Sequence, residues 1–153
     1  MDYISAFAED YLRVAAIRCR MDLPMSLPAT RVDAELRYNL FLAVKEALNN
    51  VVKHSRATEV WLRLAIAPEQ FTLIIEDNGQ GLPLPGETKE ASAAGGRIAS
   101  GSGLSNLEKR MAAHGGRCHF YSVPGQGTRV ELTVVIETGA SPVVAMGRDG
   151  AGD

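Results

Sequence analysis

The sequence predicts an α+β fold: a two-layer α/β sandwich with helices packed on one face of a mixed, mostly antiparallel sheet. Two periodicities predict it. Apolar residues recur at helical spacing in three segments and alternate with polar residues in most of the segments between them. The third observation is length. At 153 residues the chain is one ordinary domain, long enough to bury a real core.

Residues 2–15 form the first predicted helix, with Ile4, Phe7, Ala8, Tyr11, Leu12 and Ala15 near helical spacing. Residues 17–23 then alternate, Ile17, Cys19, Met21 and Leu23 against Arg18, Arg20 and Asp22, as a half-buried strand does. Pro24 and Pro28 mark a loop. A long helix is predicted over 33–54, its apolar side supplied by Leu36, Leu40, Phe41, Val44, Leu48, Val51 and Val52. Residues 59–66 and 71–75 make two strands across Pro68-Glu69-Gln70, an antiparallel hairpin. Residues 82–100 lack periodicity and read as a lid-like loop. A helix over 103–114 ends at Gly115-Gly116, and strands at 117–123 and 128–136 flank the turn Pro124-Gly125-Gln126-Gly127. The globular domain is thus expected to span 1–138. The aperiodic stretch 139–153 is expected to be a flexible tail.

Composition excludes several classes. Sixteen basic and 18 acidic residues leave a net charge of −2, with no electrostatic footprint for nucleic acid or a membrane surface. No apolar run approaches about 18 residues, and the N-terminus has no basic-then-apolar signal pattern. Cys19 and Cys118 fall in separate predicted strands, without metal-ligand spacing, and read as buried free thiols. A cytoplasmic location follows, although a parent protein could be membrane-anchored. Glycine use is lopsided: of 15 glycines the first is Gly79, and eleven lie between Gly79 and Gly127. That half of the chain contains either loops or close backbone approaches to a ligand.

Four places carry possible chemistry. On the long helix, Asn50 lies about 40° from Glu46, and Lys53 about 20° to the other side. By spacing alone this polar line is a solvated helix face. Functionally, an Asn oxygen suits Mg²⁺, a Lys suits phosphate and a Glu can activate a reactant. Asp77-Asn-Gly79-Gln-Gly81 follows a strand. It is either a glycine-rich strand end or a site where Asp77 accepts a hydrogen bond from an adenine amino group. Gly101-Ser-Gly103-Leu104 opens a helix, where free N–H groups and the dipole favour phosphate, although this is not a dinucleotide fingerprint. Gly127-Thr128 opens the last strand, as a plain hairpin turn or with Thr128 touching a base edge.

Taken in order, ExxxNxxKH, DNGxG, a long loop, GxGLxN and GxGT resemble one family. It is the ATP-binding domain shared by gyrase, Hsp-type chaperones, histidine kinases and MutL (the GHKL superfamily, with the Bergerat fold). The likeness covers about residues 33–136. EALNNVVKHS with GSGLSNLEKRM is most similar to sensor histidine kinases of the NarX- and DesK-like subfamily. The resemblance implies roles. Asn50 would bind Mg²⁺ and Glu46 would position or deprotonate a reactant. Lys53 and His54 would face the phosphates. Asp77, with Gly79 and Gly81, would recognise adenine. Gly101, Gly103 and Leu104 would hold the phosphates, Gly127 and Thr128 would lie on the adenine side, and 82–100 would be the ATP lid.

The resemblance further implies a protein histidine kinase with ATP and Mg²⁺ as cofactors. None of His54, His114 and His119 sits in a segment similar to a phosphoacceptor helix. The acceptor histidine is therefore expected on a separate dimerisation domain, in the same protein or another chain. A response regulator is expected downstream, with no nucleic-acid or membrane contact by this domain. Two rivals stay open: a serine protein kinase and anti-sigma-factor binding module of the same fold, and a nucleotide-free interaction domain.

Overall fold

In the computed structural model, residues 2–24, 32, 34–81 and 101–136 are described. The predicted lid at 82–100 and tail at 139–153 lie outside them. The elements run α1 (Asp2–Val14), β1 (Arg18–Asp22), α2 (Ala34–Asn50), a π-helical turn (Val51–Ser55), β2 (Glu59–Ala67), β3 (Gln70–Asp77), α3 (Gly101–Ala112), β4 (Arg117–Val123) and β5 (Gly127–Val135). Every predicted element is present. Boundaries move by a residue or two at most places, and α3 starts at Gly101 rather than at residue 103.

The five strands form one sheet in the order β1-β2-β3-β5-β4. β1 runs parallel to β2, so the chain must cross over between them, and α2 occupies that crossover. The other neighbours are antiparallel. The sheet is therefore mixed and mostly antiparallel, and its core face carries the helices.

Alternation along the strands selects that face. Val60 and Leu62 of β2, Leu73 and Ile75 of β3, Cys118 and Phe120 of β4, and Val130, Leu132 and Val134 of β5 are buried. They meet Leu40, Val44 and Leu48 of α2 and Leu107 and Met111 of α3 in one core cluster. Fully burying a side chain such as Leu48 contributes about 1.5–3 kcal/mol. The opposite face mixes exposed apolar residues such as Tyr121, Val123 and Val135 with ion pairs, Arg63 on Glu76 at 2.6 Å and Arg129 on Glu131. Arg20 of β1 pairs with Glu59 of β2.

α1 docks on α2 through an aromatic seam. The Phe41 ring lies 4.9 Å from Tyr3 and 5.0 Å from Phe7, and Phe7 stacks on Tyr11 at 5.4 Å. Cys118 is buried as expected, whereas Cys19, on the edge strand β1, is only half-buried. Both are free thiols.

Candidate active site

Strand pleating puts Asp77 on the same face of β3 as Leu73 and Ile75. The last residue of the strand therefore points its carboxylate under the helices, and Asp77 is only 3% exposed. Burial pushes its carboxyl pKa above the ordinary 3.8, against the lowering effect of backbone N–H groups from Gly79 and Thr128, with Glu76 adding a smaller upward push. The Gly79 N–H donates to Asp77 Oδ1 at 2.8 Å. The β3–β5 register, which pairs Glu76 with Arg129, sets Asp77 beside Thr128. Ala47, Asn50, Val51, Ser55, Phe120, Thr128 and Val130 line a cavity with Asp77. The cavity thus sets one buried carboxylate among the apolar side chains of Ala47, Val51, Phe120 and Val130, with Asn50, Ser55 and Thr128 as further polar lining.

Two glycines make this geometry possible. Gly127 has φ +94°, and a Cβ there would overlap the Asp77 carbonyl oxygen. A Cβ on Gly79 would overlap the Ser55 carbonyl oxygen and stand 2.7 Å from Asp77 Oδ1. Gly81 lies against β4, below Val123.

The strand-end loop is tied to the π-turn that follows α2 through Ser55. The Gln80 N–H donates to Ser55 O at 2.7 Å, and Gln80 Nε2 donates to His54 O at 2.9 Å. The buried Ser55 hydroxyl donates to Val51 O and accepts from the Ala57 N–H. The Gly125 N–H closes the other side on Gln80 O at 2.7 Å. Asn78 caps the start of β2: its Oδ1 accepts from the Thr58 and Glu59 N–H groups, both at 3.0 Å. Ser55 and Asn78 were not singled out from the sequence. The available signal was a small polar residue between an apolar helix and a strand, a weak one.

The structure divides the predicted polar line of α2. Asn50 lines the Asp77 cavity. Glu46 instead lines a neighbouring cavity with Tyr11, Leu42, Lys45, Asn49, Asn106, Leu107 and Arg110. The 100° spacing that would align Lys53 with Glu46 ends at Asn50, because residues 51–55 form a wider π-turn. Lys53 and His54 are exposed on that turn and line neither cavity. Gly101, Gly103 and Leu104 occupy the first turn of α3. The structure thus brings Asn50, Asp77 and Thr128 together around one cavity, with Gly79 and Gly127 against Asp77 and with Glu46 around the next cavity.

The Asn50 side chain makes no capping bond on the π-turn and has no partner among the described residues. Its amide oxygen is a suitable hard ligand for Mg²⁺. Among the described residues no group of three His, Cys, Asp or Glu could hold a metal.

Residues 36–138 match the family model described as histidine kinase-, DNA gyrase B-, and HSP90-like ATPase. The chain is 33% identical over 116 residues to the sensor histidine kinase LiaS of Bacillus subtilis, covering 76% of this chain and 29% of that protein. It is 30% identical over 115 residues to the nitrate/nitrite sensor protein NarQ of Escherichia coli, covering 74% of this chain and 19% of that one. The NarQ likeness fits the NarX-like subfamily. The chain thus spans under a third of these relatives' length. The histidine kinase domain of the Erythrobacter litoralis EL346 blue-light activated histidine kinase has the same fold, with a TM-score of 0.65 at 19% identity over 87% of this chain and 59% of that one. With the family match over two thirds of its length, this chain belongs to the histidine kinase-, DNA gyrase B-, and HSP90-like ATPases, as an ATP-binding catalytic domain of the sensor histidine kinase type.

Proposed function

We propose that this domain transfers the γ-phosphoryl group of ATP to a histidine carried by a separate dimerisation domain. The observation that carries the reading is the buried Asp77 carboxylate, held by the Gly79 N–H at the end of an apolar cavity. Ala47, Val51, Phe120 and Val130 would sandwich the adenine ring, and Asp77 would accept from its amino group. Thr128 would meet the base edge.

Asn50 would hold Mg²⁺, which supplies charge neutralisation across the phosphate oxygens when bound. The N–H groups of the first turn of α3, at Gly101, Gly103 and Leu104, are the natural cradle for phosphate. Lys53 would add positive charge, and His54 would face the phosphates beside it, from the π-turn. In the transfer step an imidazole nitrogen of the acceptor bonds to the γ-phosphorus, and the bond from that phosphorus to the β-phosphate oxygen breaks. ADP leaves, and Glu46 would take the imidazole proton. The phosphohistidine would then serve a response regulator. The site of action in this reading is cytoplasmic; no helix among the described residues is long and apolar enough to cross a membrane.

Calorimetry with ATP, with and without Mg²⁺, tests the reading. Wild type is expected to bind, more tightly with Mg²⁺, and Asp77→Ala to lose binding while staying folded. Transfer of labelled γ-phosphate to a co-supplied histidine hairpin domain then tests the acceptor. A well-folded wild type that binds no ATP would sink the proposal.

A further inference from the structure

The second cavity, of about 340 Å³, lies between the three helices. It shares α2 as a wall with the Asp77 cavity: Glu46 and Asn49 line one side, Ala47 and Asn50 the other. Glu46 and Asn50 are about one helical turn apart, about 6 Å along the axis.

Hydrogen-bond donors dominate the lining. The Tyr11 hydroxyl donates to Asn49 Oδ1 at 3.3 Å. That bond engages the amide oxygen and leaves the Asn49 NH₂ group without a partner among the described residues. Asn106 adds a second amide. Lys45 on α2 and Arg110 on α3 form no ion pair among the described residues. Glu46 is the single acid of the lining, so the lining is net cationic. Lys45 and Arg110 are both exposed and line the same cavity from different helices, so an anion bound there would meet two positive charges beside the one carboxylate of Glu46. A phosphoryl group suits the gap, with the ammonium as a point charge and the guanidinium as a fork.

We infer that Lys45 and Arg110 are positioning residues for the terminal phosphoryl group of the nucleotide, which they hold in this second cavity beside Glu46. The inference rests on the placement of adenine against Asp77. It assigns the terminal phosphate two cations that the motif pattern does not single out. It also puts the transferring group next to the carboxylate that would receive the acceptor's proton.

The test compares ATP with ADP, which lacks the terminal group. The full chain is titrated calorimetrically with each nucleotide in Mg²⁺, as wild type, Lys45→Met, Arg110→Met and Arg110→Lys. Each Met variant is expected to bind ATP about tenfold more weakly, the loss of one charge-assisted hydrogen bond, and ADP within about twofold of wild type. Arg110→Lys is expected to recover part of the ATP affinity. Equal losses for ATP and ADP would mean a structural role and overturn the inference. So would unchanged ATP affinity, the result expected if the cations serve a phosphate borne by a partner protein. A wild type that binds neither nucleotide would instead overturn the Asp77 reading, and this inference with it.

Discussion

Gly127 stands so close to Asp77 that a Cβ on it would lie 2.8 Å from the Asp77 carbonyl carbon and nearer still to its oxygen. Fifty residues apart in the chain, the two meet because β5 pairs with β3. This backbone approach sets the carboxylate beside Thr128, and it tolerates no side chain at position 127.

Gly127→Ala is therefore expected to destabilise the fold by about 3 kcal/mol or more, from the positive φ together with a backbone clash. Gly125→Ala is the control. It has φ +78° but nothing within 4 Å of a Cβ, so only conformational strain of about 1 kcal/mol is expected. Urea unfolding of both variants checks the contrast. Similar losses would show that the close approach does not matter.

Asp77 is expected to work against stability when it ionises. Its folded pKa is raised by burial, so the folded state holds the proton more tightly than the unfolded chain. The stabilising contribution is full below the ordinary value of 3.8 and is lost as pH rises through the folded pKa. Asp77→Asn removes that titration. At pH 7 the variant should be at least as stable as wild type, and its advantage should shrink as pH falls towards about 4. Its ATP affinity should nevertheless drop at least about tenfold, because a neutral amide replaces a charged acceptor. Thermal melts across pH, paired with calorimetry, read both effects.

Ser55→Ala leaves the buried Ala57 N–H without its acceptor and the Val51 carbonyl without that donor. A loss of about 1–3 kcal/mol is expected. Because the Gln80 N–H hangs on the neighbouring Ser55 carbonyl, amide exchange at Gln80 should also speed up. Unchanged exchange at Gln80 would separate the hydroxyl from the loop anchor.

The two thiols should resist alkylation in the folded state. Burial pushes the Cys118 pKa up to about 12, with Glu108 adding to the effect, and that of Cys19 up to about 11, with Glu9 adding. At pH 8 iodoacetamide should label neither quickly. Cys19, only half-buried on an edge strand, should react before Cys118. Mass spectrometry of a labelling time course gives the order, and rapid labelling of Cys118 would contradict its burial.

Much of this protein was legible locally. Helical spacing in α2 and alternation in β2, β3, β4 and β5 are properties of a few neighbouring residues, so they survive being read without a fold. The glycines at 79, 81 and 127 were likewise visible as positions where backbone had to come close. Tertiary structure decided what local period cannot carry. It set β1 parallel to β2, placed β5 between β3 and β4, and so brought Asp77 to Thr128 and Gly127. It also ended the α-helical geometry at Asn50 with a π-turn, which removed Lys53 from the line predicted for it at 100° per residue. Finally it parted Glu46 and Asn50 between two cavities and closed one of them with Tyr11 and Arg110, from helices distant in sequence. Such pairings depend on which distant surfaces bury each other best, and a periodicity within one segment contains no term for that choice.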